Sequence, residues 1–270
     1  MKLANRTFIV SGGSSGLGLA SVTELLKNGA FVAILDKSPP PDIEPKDAFS
    51  SSSSKSHLMY AQTDITVLSQ VESAVNQVVS WTTTTGAPLG GLINGAGIAL
   101  GGQIVDRKGE MHSVPDWDHV LAVNLSGTFH LTRLVAKYLI CVPKEDTLDG
   151  ERGVIIMISS STAYEGQAGQ VAYAAAKGAI NSMTLPMARD LSRHNVRVVT
   201  VVPSPFETPM TNNFFSERTA AGLKKSAMLF PQRYGLPQEF AETVKWILEC
   251  PYVNGENYRL SGGARVPAIL

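Results

Sequence analysis

The sequence predicts an α/β fold in which helices cover both faces of a doubly wound parallel sheet. Short apolar runs alternate along the chain with longer stretches that have the apolar spacing of helices. A glycine-rich segment at 11–18 stands between the first apolar run and the first helical stretch. With 270 residues, 44% of them hydrophobic, the chain is long enough to bury one large core. We therefore predict a single domain over residues 1–270.

The predicted strands and helices follow each other in a β–α order, which is typical of parallel sheets. Six apolar runs predict buried strands: Phe8–Val10, Phe31–Leu35, Leu58–Tyr60, Gly91–Ile93, Val154–Ile158 and Val196–Val202. The predicted helices are Leu17–Asn28, Val67–Trp81, Trp117–Ile140, Tyr173–Leu191 and Glu239–Glu249. Residues 38–57, rich in proline and serine, predict a mobile surface loop. Thr82–Thr85 followed by Gly86 predicts a frayed helix end.

Composition and charge exclude several classes of function. Lys+Arg and Asp+Glu both number 23, so the balanced charge disfavours direct binding to nucleic acid. No run of about 18 apolar residues exists, so we expect no membrane span. The first predicted strand begins so close to Met1 that we expect no signal peptide and a cytoplasmic location, with the mitochondrion as the alternative. Cys141 and Cys250 predict reduced thiols, and the five histidines lack metal-ligand spacing, so we expect no metal site.

A glycine-rich segment follows the first predicted strand directly. Gly12, Gly16 and Gly18 have the spacing G-x-x-x-G-x-G and lead into a helix. Glycine lets the backbone approach a pyrophosphate closely, and a helix N-terminus attracts the anion. A tight turn without a ligand is the alternative, but the position between strand and helix favours a dinucleotide. The candidate cofactor contacts here are Ser11, Gly12, Ser15, Gly16, Leu17 and Gly18.

Asp36 follows the second predicted strand, 18 residues beyond Gly18. At about that offset an acidic side chain accepts hydrogen bonds from the adenosine ribose and repels a 2′-phosphate. Asp36 therefore predicts NAD as the cofactor and disfavours NADP, although the neighbouring Lys37 is a cation that would suit NADP. A simple turn residue at the strand end is the alternative for Asp36.

Two further strand ends supply candidate cofactor contacts. Asp64 and Ile65 follow the third predicted strand, where they would bracket the adenine ring. A helix N-cap at Asp64 or Thr66 explains the same residues equally well. Small residues after the fourth predicted strand would let the chain pass close to the cofactor. The candidates in that run are Asn94, Ala96 and Gly97.

Tyr173 and Lys177 lie four residues apart in a predicted helix, so they share one face. Ser160 precedes Tyr173 by thirteen residues and follows a strongly apolar strand, where open α/β sheets expose catalytic groups. An ordinary tyrosine, with a pKa near 10, is a poor base at neutral pH. An ammonium about 4 Å away, at an effective dielectric of about 20, is worth roughly 4 kcal/mol, or about three pKa units. We therefore predict that Lys177 lowers the pKa of Tyr173 and that Tyr173 removes the proton of a secondary alcohol.

Ser160 and Asn124 complete the predicted catalytic group. Ser160 would hydrogen-bond the substrate oxygen and hold it against Tyr173, and Asn124 would position a water that links Lys177 to solvent. Ser160 lies in a run of serines, so a polar loop is the alternative for it. A contact with backbone is the alternative for Asn124.

Together these residues resemble the short-chain dehydrogenase/reductase family across nearly the whole chain. The matching features are the glycine loop, the run 94–97, Asn124, Ser160, the pair Tyr173 and Lys177, Pro203 and Thr208. The resemblance implies a Rossmann-type fold, NAD, and the interconversion of a secondary alcohol and a ketone. It also implies that Pro203, Phe206 and Thr208 contact the cofactor.

Several stretches, among them 123–129, 184–191 and 205–209, resemble a subgroup that oxidises 3-hydroxyacyl-CoA or hydroxysteroid-like alcohols. This likeness implies a homotetramer and a lid over the substrate at about 204–236, whose apolar residues favour an acyl chain or sterol. Lys224 and Lys225 in the lid would meet CoA phosphates or simply be solvated. Two alternatives stay open: a secondary-metabolite reductase for a ketone or imine, and a non-catalytic scaffold in a tRNA-processing complex.

One departure from the family pattern lies beside the expected nicotinamide. The family usually has Pro-Gly after the sixth strand, whereas this chain has Pro203-Ser204-Pro205. Proline fixes its own φ and lacks an amide proton, so we expect a stiffer and differently placed backbone there. The expected contact between Thr208 and the cofactor carboxamide depends on that backbone.

Overall fold

A computed structural model describes residues 1–41, 56–214 and 217–266. Within these residues, seven parallel strands form one sheet in the order β3-β2-β1-β4-β5-β6-β7, which confirms the predicted fold class. Most of the predicted Pro/Ser-rich loop, at 42–55, and residues 215–216 of the predicted lid lie outside the described residues. The strands are β1 (Thr7–Ser11), β2 (Phe31–Asp36), β3 (Leu58–Gln62), β4 (Leu89–Asn94), β5 (Gly153–Ile158), β6 (Val196–Pro203) and β7 (Asn257–Leu260).

The helices connect successive strands, and each predicted helix has a counterpart. They are α1 (Gly16–Lys27), α2 (Leu68–Thr85), α3 (Val114–Leu121), α4 (Thr128–Leu139), α5 (Thr162–Glu165), α6 (Val171–Ser192), α7 (Pro209–Phe214), α8 (Glu217–Ser226) and α9 (Pro237–Glu249). A π-helical turn at Ala122–Gly127 joins α3 to α4. The predicted fraying at Thr82–Thr85 is wrong, because α2 continues through Thr85 and ends at Gly86, whose φ of 75° makes it the predicted C-cap.

Two hydrophobic clusters cover the two faces of the sheet. One packs α2, α4 and α6 against it through Val75, Val135 and Ile180. The other packs α1 and α9 against the opposite face through side chains such as Leu25 and Phe240. Adjacent residues of β1 point to different clusters, which is the alternation expected of a strand buried on both faces. No helix of the described part is long and apolar enough to cross a membrane.

A buried arginine ties β6 to the end of α9. The Arg197 guanidinium lies near the start of β6 and is 6% exposed. Its nitrogen atoms donate to Glu151 Oε1 at 2.6 Å and to the carbonyl oxygens of Ile247 at 2.8 Å, Leu248 at 3.0 Å and Val253 at 2.7 Å. The last carbonyl groups of a helix have no hydrogen-bond donors within the helix. The Arg197 side chain donates to two of them, those of Ile247 and Leu248 in α9.

The parallel arrangement brings the carboxyl ends of the strands to one edge of the sheet. The chain reverses its direction of travel across the sheet between β1 and its neighbour β4, since β2 and β3 lie on one side and β5 to β7 on the other. Ligands of open α/β sheets bind in the crevice at this reversal. The candidate residues that follow β1, β2, β4, β5 and β6 therefore meet around one crevice.

Candidate active site

The glycine loop forms a close crossing between the ends of β1 and β4. Gly12 has a φ of 65°, and a Cβ atom there would lie 2.7 Å from the backbone nitrogen of Ala96. A Cβ atom at Gly18 would clash with the carbonyl oxygen of Gly12. Helix α1 begins at Gly16, and its first turn has no acidic residue. The loop therefore presents bare backbone and the positive end of a helix dipole to the crevice, which fits a pyrophosphate.

Asp36 lies at the far end of the crevice, where β2 ends. Its Oδ2 accepts from the backbone N–H of Ser14 at 2.9 Å, and its Oδ1 accepts from the backbone N–H of Ser38 at 2.9 Å. These bonds hold the carboxylate beside the glycine loop. The carboxylate retains further acceptor capacity, because two oxygens provide about four lone-pair positions.

Lys37 and Asp64 form an ion pair next to Asp36. Lys37 Nζ lies 3.0 Å from Asp64 Oδ2. Asp64 Oδ1 accepts from the hydroxyl of Thr66 at 2.6 Å and from its backbone N–H at 3.0 Å. These Thr66 hydrogen bonds, helped by Lys37, lower the pKa of Asp64 to about 2. The N-cap alternative is wrong for both Asp64 and Thr66, because the N-cap of α2 is Val67 and makes no side-chain cap.

Three predicted polar residues support the crevice from behind. Ser11 Oγ accepts from the backbone N–H of Ala96 at 3.3 Å, and Asn94 Nδ2 donates to Thr132 Oγ1 at 2.9 Å. Asn124, on the π-helical turn, is fully buried; its Oδ1 accepts from Ile98 N and its Nδ2 donates to Ile98 O, both at 2.8 Å. The Asn124 amide thus contacts the backbone, which was the alternative to its predicted role of positioning a water. It fixes the chain just after Gly97.

The reactive end of the crevice is formed by α6 and the end of β5. Lys177 Nζ donates to the carbonyl oxygen of Ile158 at 2.8 Å and lies 5.7 Å from the centre of the Tyr173 ring. Ser159 Oγ donates to the carbonyl oxygen of Lys177 at 2.8 Å, which anchors α6 to the strand. Ser160 Oγ donates to Thr162 Oγ1 at 3.2 Å. The predicted trio of Ser160, Tyr173 and Lys177 is therefore brought together.

The pKa of Tyr173 is raised, which is opposite to the direction predicted from Lys177 alone. Burial is the cause, because tyrosinate is poorly solvated inside the protein, and hydrogen bonding with the Ser160 side chain opposes the rise. Burial also lowers the pKa of Lys177 to about 8. The prediction considered the attraction between the two groups and left out the burial of both. With this chain's own groups, Tyr173 is protonated at neutral pH.

The segment after β6 forms the remaining wall. Ser161 N donates to the carbonyl oxygen of Pro203 at 2.8 Å, and Ser204 N donates to that of Leu260 at 3.1 Å, so β6 keeps its place through the proline turn. Thr208 Oγ1 lies 3.0 Å from Thr211 Oγ1. A Cβ atom at Gly16 would lie 3.6 Å from the Thr208 side chain, so Thr208 faces the glycine loop. The altered turn therefore leaves Thr208 beside the crevice.

One cavity of about 440 Å³ joins the two ends of the crevice. Asp36 and the glycine loop line it at one end, and Ser160, Tyr173 and Lys177 line it at the other. The other predicted residues in its wall are Ser15, Leu17, Asp64, Ile65, Ala96, Gly97, Pro203, Phe206 and Thr208. The three supporting residues Ser11, Asn94 and Asn124 lie behind the wall.

The family model for the short chain dehydrogenases matches residues 6–219. This chain belongs to that family. The human 3-hydroxyacyl-CoA dehydrogenase type-2 is 36% identical over 261 residues, covering 96% of this chain and 94% of the human protein. The crystal structure of 3-hydroxyacyl-CoA dehydrogenase type-2 from Mycobacterium avium has a TM-score of 0.83 at 30% identity, covering 98% of this chain and 97% of that one. The 3-ketoacyl-(acyl-carrier-protein) reductase from Brucella melitensis, complexed with NADH, supports the fold with a TM-score of 0.78 at 22% identity, covering 98% of this chain and 100% of that one.

The cavity of this short-chain dehydrogenase also has wall residues that the sequence analysis missed. Gln167 and Gln170, 9% and 6% exposed, precede Tyr173 in the wall, and His119 of α3 lies at the rim. Glutamines in a loop carry no motif, and a lone histidine is usually on the surface. Only their three-dimensional position identifies them.

The lid prediction is corrected in part for this short-chain dehydrogenase. Met210 lines the cavity. Leu223 and Met228 instead pack into a separate small cluster with Ala264 and Val266, away from the wall. This packing accounts for the apolar character of Leu223 and Met228. These two residues are therefore weaker evidence for an apolar substrate than predicted.

Proposed function

We propose that this short-chain dehydrogenase interconverts a secondary alcohol and a ketone with NAD as its cofactor and Tyr173 as the proton-transferring residue. The single observation that carries the proposal is the shared cavity. It brings Asp36 and the glycine loop, which fit an adenosine and a pyrophosphate, together with Ser160, Tyr173 and Lys177. A bound nicotinamide supplies or accepts the hydride.

The residues of the chain supply the proton chemistry and the positioning. The Tyr173 hydroxyl gives its proton to the ketone oxygen in reduction, and the Tyr173 phenolate takes the alcohol proton in oxidation. The Ser160 hydroxyl hydrogen-bonds the same substrate oxygen and holds it near Tyr173. The Lys177 ammonium, fixed by the Ile158 carbonyl, stabilises the Tyr173 phenolate, which forms when Tyr173 donates its proton in reduction and which accepts the alcohol proton in oxidation.

The electrostatics around Asp36 support NAD over NADP. A 2′-phosphate placed at the adenosine ribose would face the Asp36 carboxylate. Lys37 is the nearby cation, but its ammonium is paired with Asp64, so the pair offers little net positive charge to a phosphate. Among the described residues next to this pair, the remaining charge is the negative one on Asp36.

The human relative, a 3-hydroxyacyl-CoA dehydrogenase, supports a 3-hydroxyacyl-CoA as the substrate, and the hydroxysteroid-like alcohol stays a prediction. Ile98, Phe206 and Met210 give the cavity an apolar wall suited to a hydrocarbon group. Lys224 does not support a CoA-phosphate site, because its Nζ lies 3.8 Å from Glu207 Oε1 and 4.7 Å from the centre of the Tyr234 ring. The homotetramer and a cytoplasmic or mitochondrial location stay predictions.

The Tyr173→Phe variant tests the reaction. We expect its turnover to fall by at least about a hundredfold, the usual minimum for loss of a general acid or base, with NAD affinity retained. Tyr252→Phe is the matched control, because Tyr252 is 98% exposed. NADH consumption is followed with acetoacetyl-CoA for reduction, and NADH formation is followed with a hydroxysteroid and simple apolar alcohols for oxidation. Retained turnover in Tyr173→Phe would contradict the mechanism, whereas failure of the acyl-CoA alone would overturn only the substrate.

A further inference from the structure

Two glutamines in the cavity wall have side-chain amides that the proposed reaction does not use. Gln167 and Gln170 are both buried, and both line the cavity. Among the residues that the structure describes, neither amide has a hydrogen-bond partner. The amides are also absent from the unpaired polar atoms that the protein encloses completely, such as Ser204 Oγ. They are therefore open to the cavity, where a bound molecule can reach them.

The turn that carries the two glutamines is fixed beside the reactive residues. Gln170 N donates to Gln167 O at 3.2 Å, and Gly102 N donates to Gly169 O at 2.7 Å, which ties the turn to the segment after β4. Gln170 is the N-cap residue of α6, but its side chain makes no capping hydrogen bond. Tyr173 follows three residues later on the same helix, so the side chains of Gln170 and Tyr173 are neighbours. The amides therefore belong to the reactive end of the cavity.

An apolar substrate would leave both amides unpaired. A buried polar group without a hydrogen bond has a free-energy cost, so a ligand that covers the glutamines binds best when it supplies partners for them. A sterol alcohol or a simple apolar alcohol has the reacting oxygen, which Ser160 and Tyr173 bind in the proposed reaction, and no oxygen beside it. A 3-oxo ester or thioester has a second carbonyl oxygen close to the first.

We propose that Gln167 and Gln170 hydrogen-bond a second carbonyl group of the substrate, two carbons away from the reacting one, an inference that rests on the proposed function. Each glutamine has an NH₂ group that donates, and a carbonyl oxygen has two lone pairs, so both amides can bind the same oxygen. The two glutamines thereby select 3-oxo and 3-hydroxy esters or thioesters over alcohols and ketones without a second oxygen.

The double variant Gln167→Met with Gln170→Met tests this selection, because methionine has a similar length and no amide. NADH consumption is followed with ethyl acetoacetate, which has the second carbonyl, and with 2-heptanone, a ketone of similar length that lacks it. The measured quantity is the ratio of kcat/KM for ethyl acetoacetate to kcat/KM for 2-heptanone. Comparing this ratio between variant and wild type cancels the intrinsic difference in reactivity of the two ketones. We expect the ratio to fall about tenfold to a hundredfold, as for two neutral hydrogen bonds.

A ratio equal to that of the wild type would overturn the inference, even with a lower Tm or slower turnover of both ketones, since those effects indicate a structural role. Gln77→Met is the matched control, because Gln77 is exposed on α2, and it should leave the ratio unchanged. If the double variant did not fold, Gln170→Met alone should lower the ratio about threefold to tenfold. If the wild type consumed NADH with neither ketone, the proposed function would fail as well.

Discussion

We expect cofactor choice to depend on Asp36, and the Asp36→Asn variant isolates the charge of that side chain. Asparagine keeps the size of aspartate, and its one carbonyl oxygen can still accept from the backbone N–H of Ser14. The variant removes the negative charge that a 2′-phosphate would meet. We expect the preference for NAD over NADP to fall, because the variant should accept NADP more readily and should bind the ribose of NAD more weakly.

The size of the effect follows from the charges. A phosphate group carries about 1.5 negative charges at neutral pH. At about 5 Å from a carboxylate, with an effective dielectric of about 40 for a half-buried site, the repulsion is roughly 2.5 kcal/mol. That energy corresponds to about a 70-fold change in preference. The Lys37 ammonium is paired with Asp64 at 3.0 Å. The double variant Asp36→Asn with Asp64→Asn should therefore release the Lys37 ammonium and shift the preference further toward NADP.

The assay is the ratio of kcat/KM for NAD to kcat/KM for NADP with one alcohol substrate. Asp190→Asn, which removes an exposed carboxylate from α6, is the control and should leave the ratio unchanged. A ratio in Asp36→Asn equal to that of the wild type would refute the electrostatic argument. So would an equal change in Asp190→Asn, which would indicate a general effect of charge.

Three further predictions concern the proton, the glycine loop and the core. Between about pH 6 and 9 alcohol oxidation should accelerate, because oxidation needs Tyr173 deprotonated, whereas ketone reduction should change little, because burial keeps Tyr173 protonated over this range; pH–rate profiles with the same slope would contradict this. Gly18→Ala should abolish NAD binding, because its Cβ atom would clash with Gly12. The same clash should lower the free energy of unfolding by at least about 1–3 kcal/mol, which is detected as a lower Tm. Gly178→Ala, with open space around the Cβ atom, should not destabilise the protein. Arg197→Met should destabilise by about 3–5 kcal/mol in urea unfolding, because it leaves the buried Glu151 carboxylate with only the N-terminal ammonium as a charged partner and removes the donor to three carbonyls; a change below 1 kcal/mol would contradict it.

The sequence predicted those elements whose signal is local. Strands buried on both faces are continuous apolar runs, so six of the seven were predicted, and the glycine spacing marked the loop before α1. Strand β7 was missed because it is half-exposed and contains Asn257 and Arg259, so it has no apolar run. Contacts between distant residues were also missed, as with the pairing of Asn124 to Ile98 and of Lys37 to Asp64. Such contacts depend on the crossing of strand ends, which no short pattern records.

Tyr173 shows why the spacing of two residues does not determine a pKa. The sequence argument placed an ammonium about 4 Å from the phenol, where it would favour tyrosinate. In the structure both groups are buried. The loss of solvation then outweighs the attraction and raises the pKa of Tyr173. Since the pKa of Lys177 is about 8, its charge also weakens as the pH rises. We therefore expect the residues of the chain by themselves to favour proton donation to a ketone. A bound oxidised nicotinamide would add positive charge, which would favour the Tyr173 phenolate that oxidation needs.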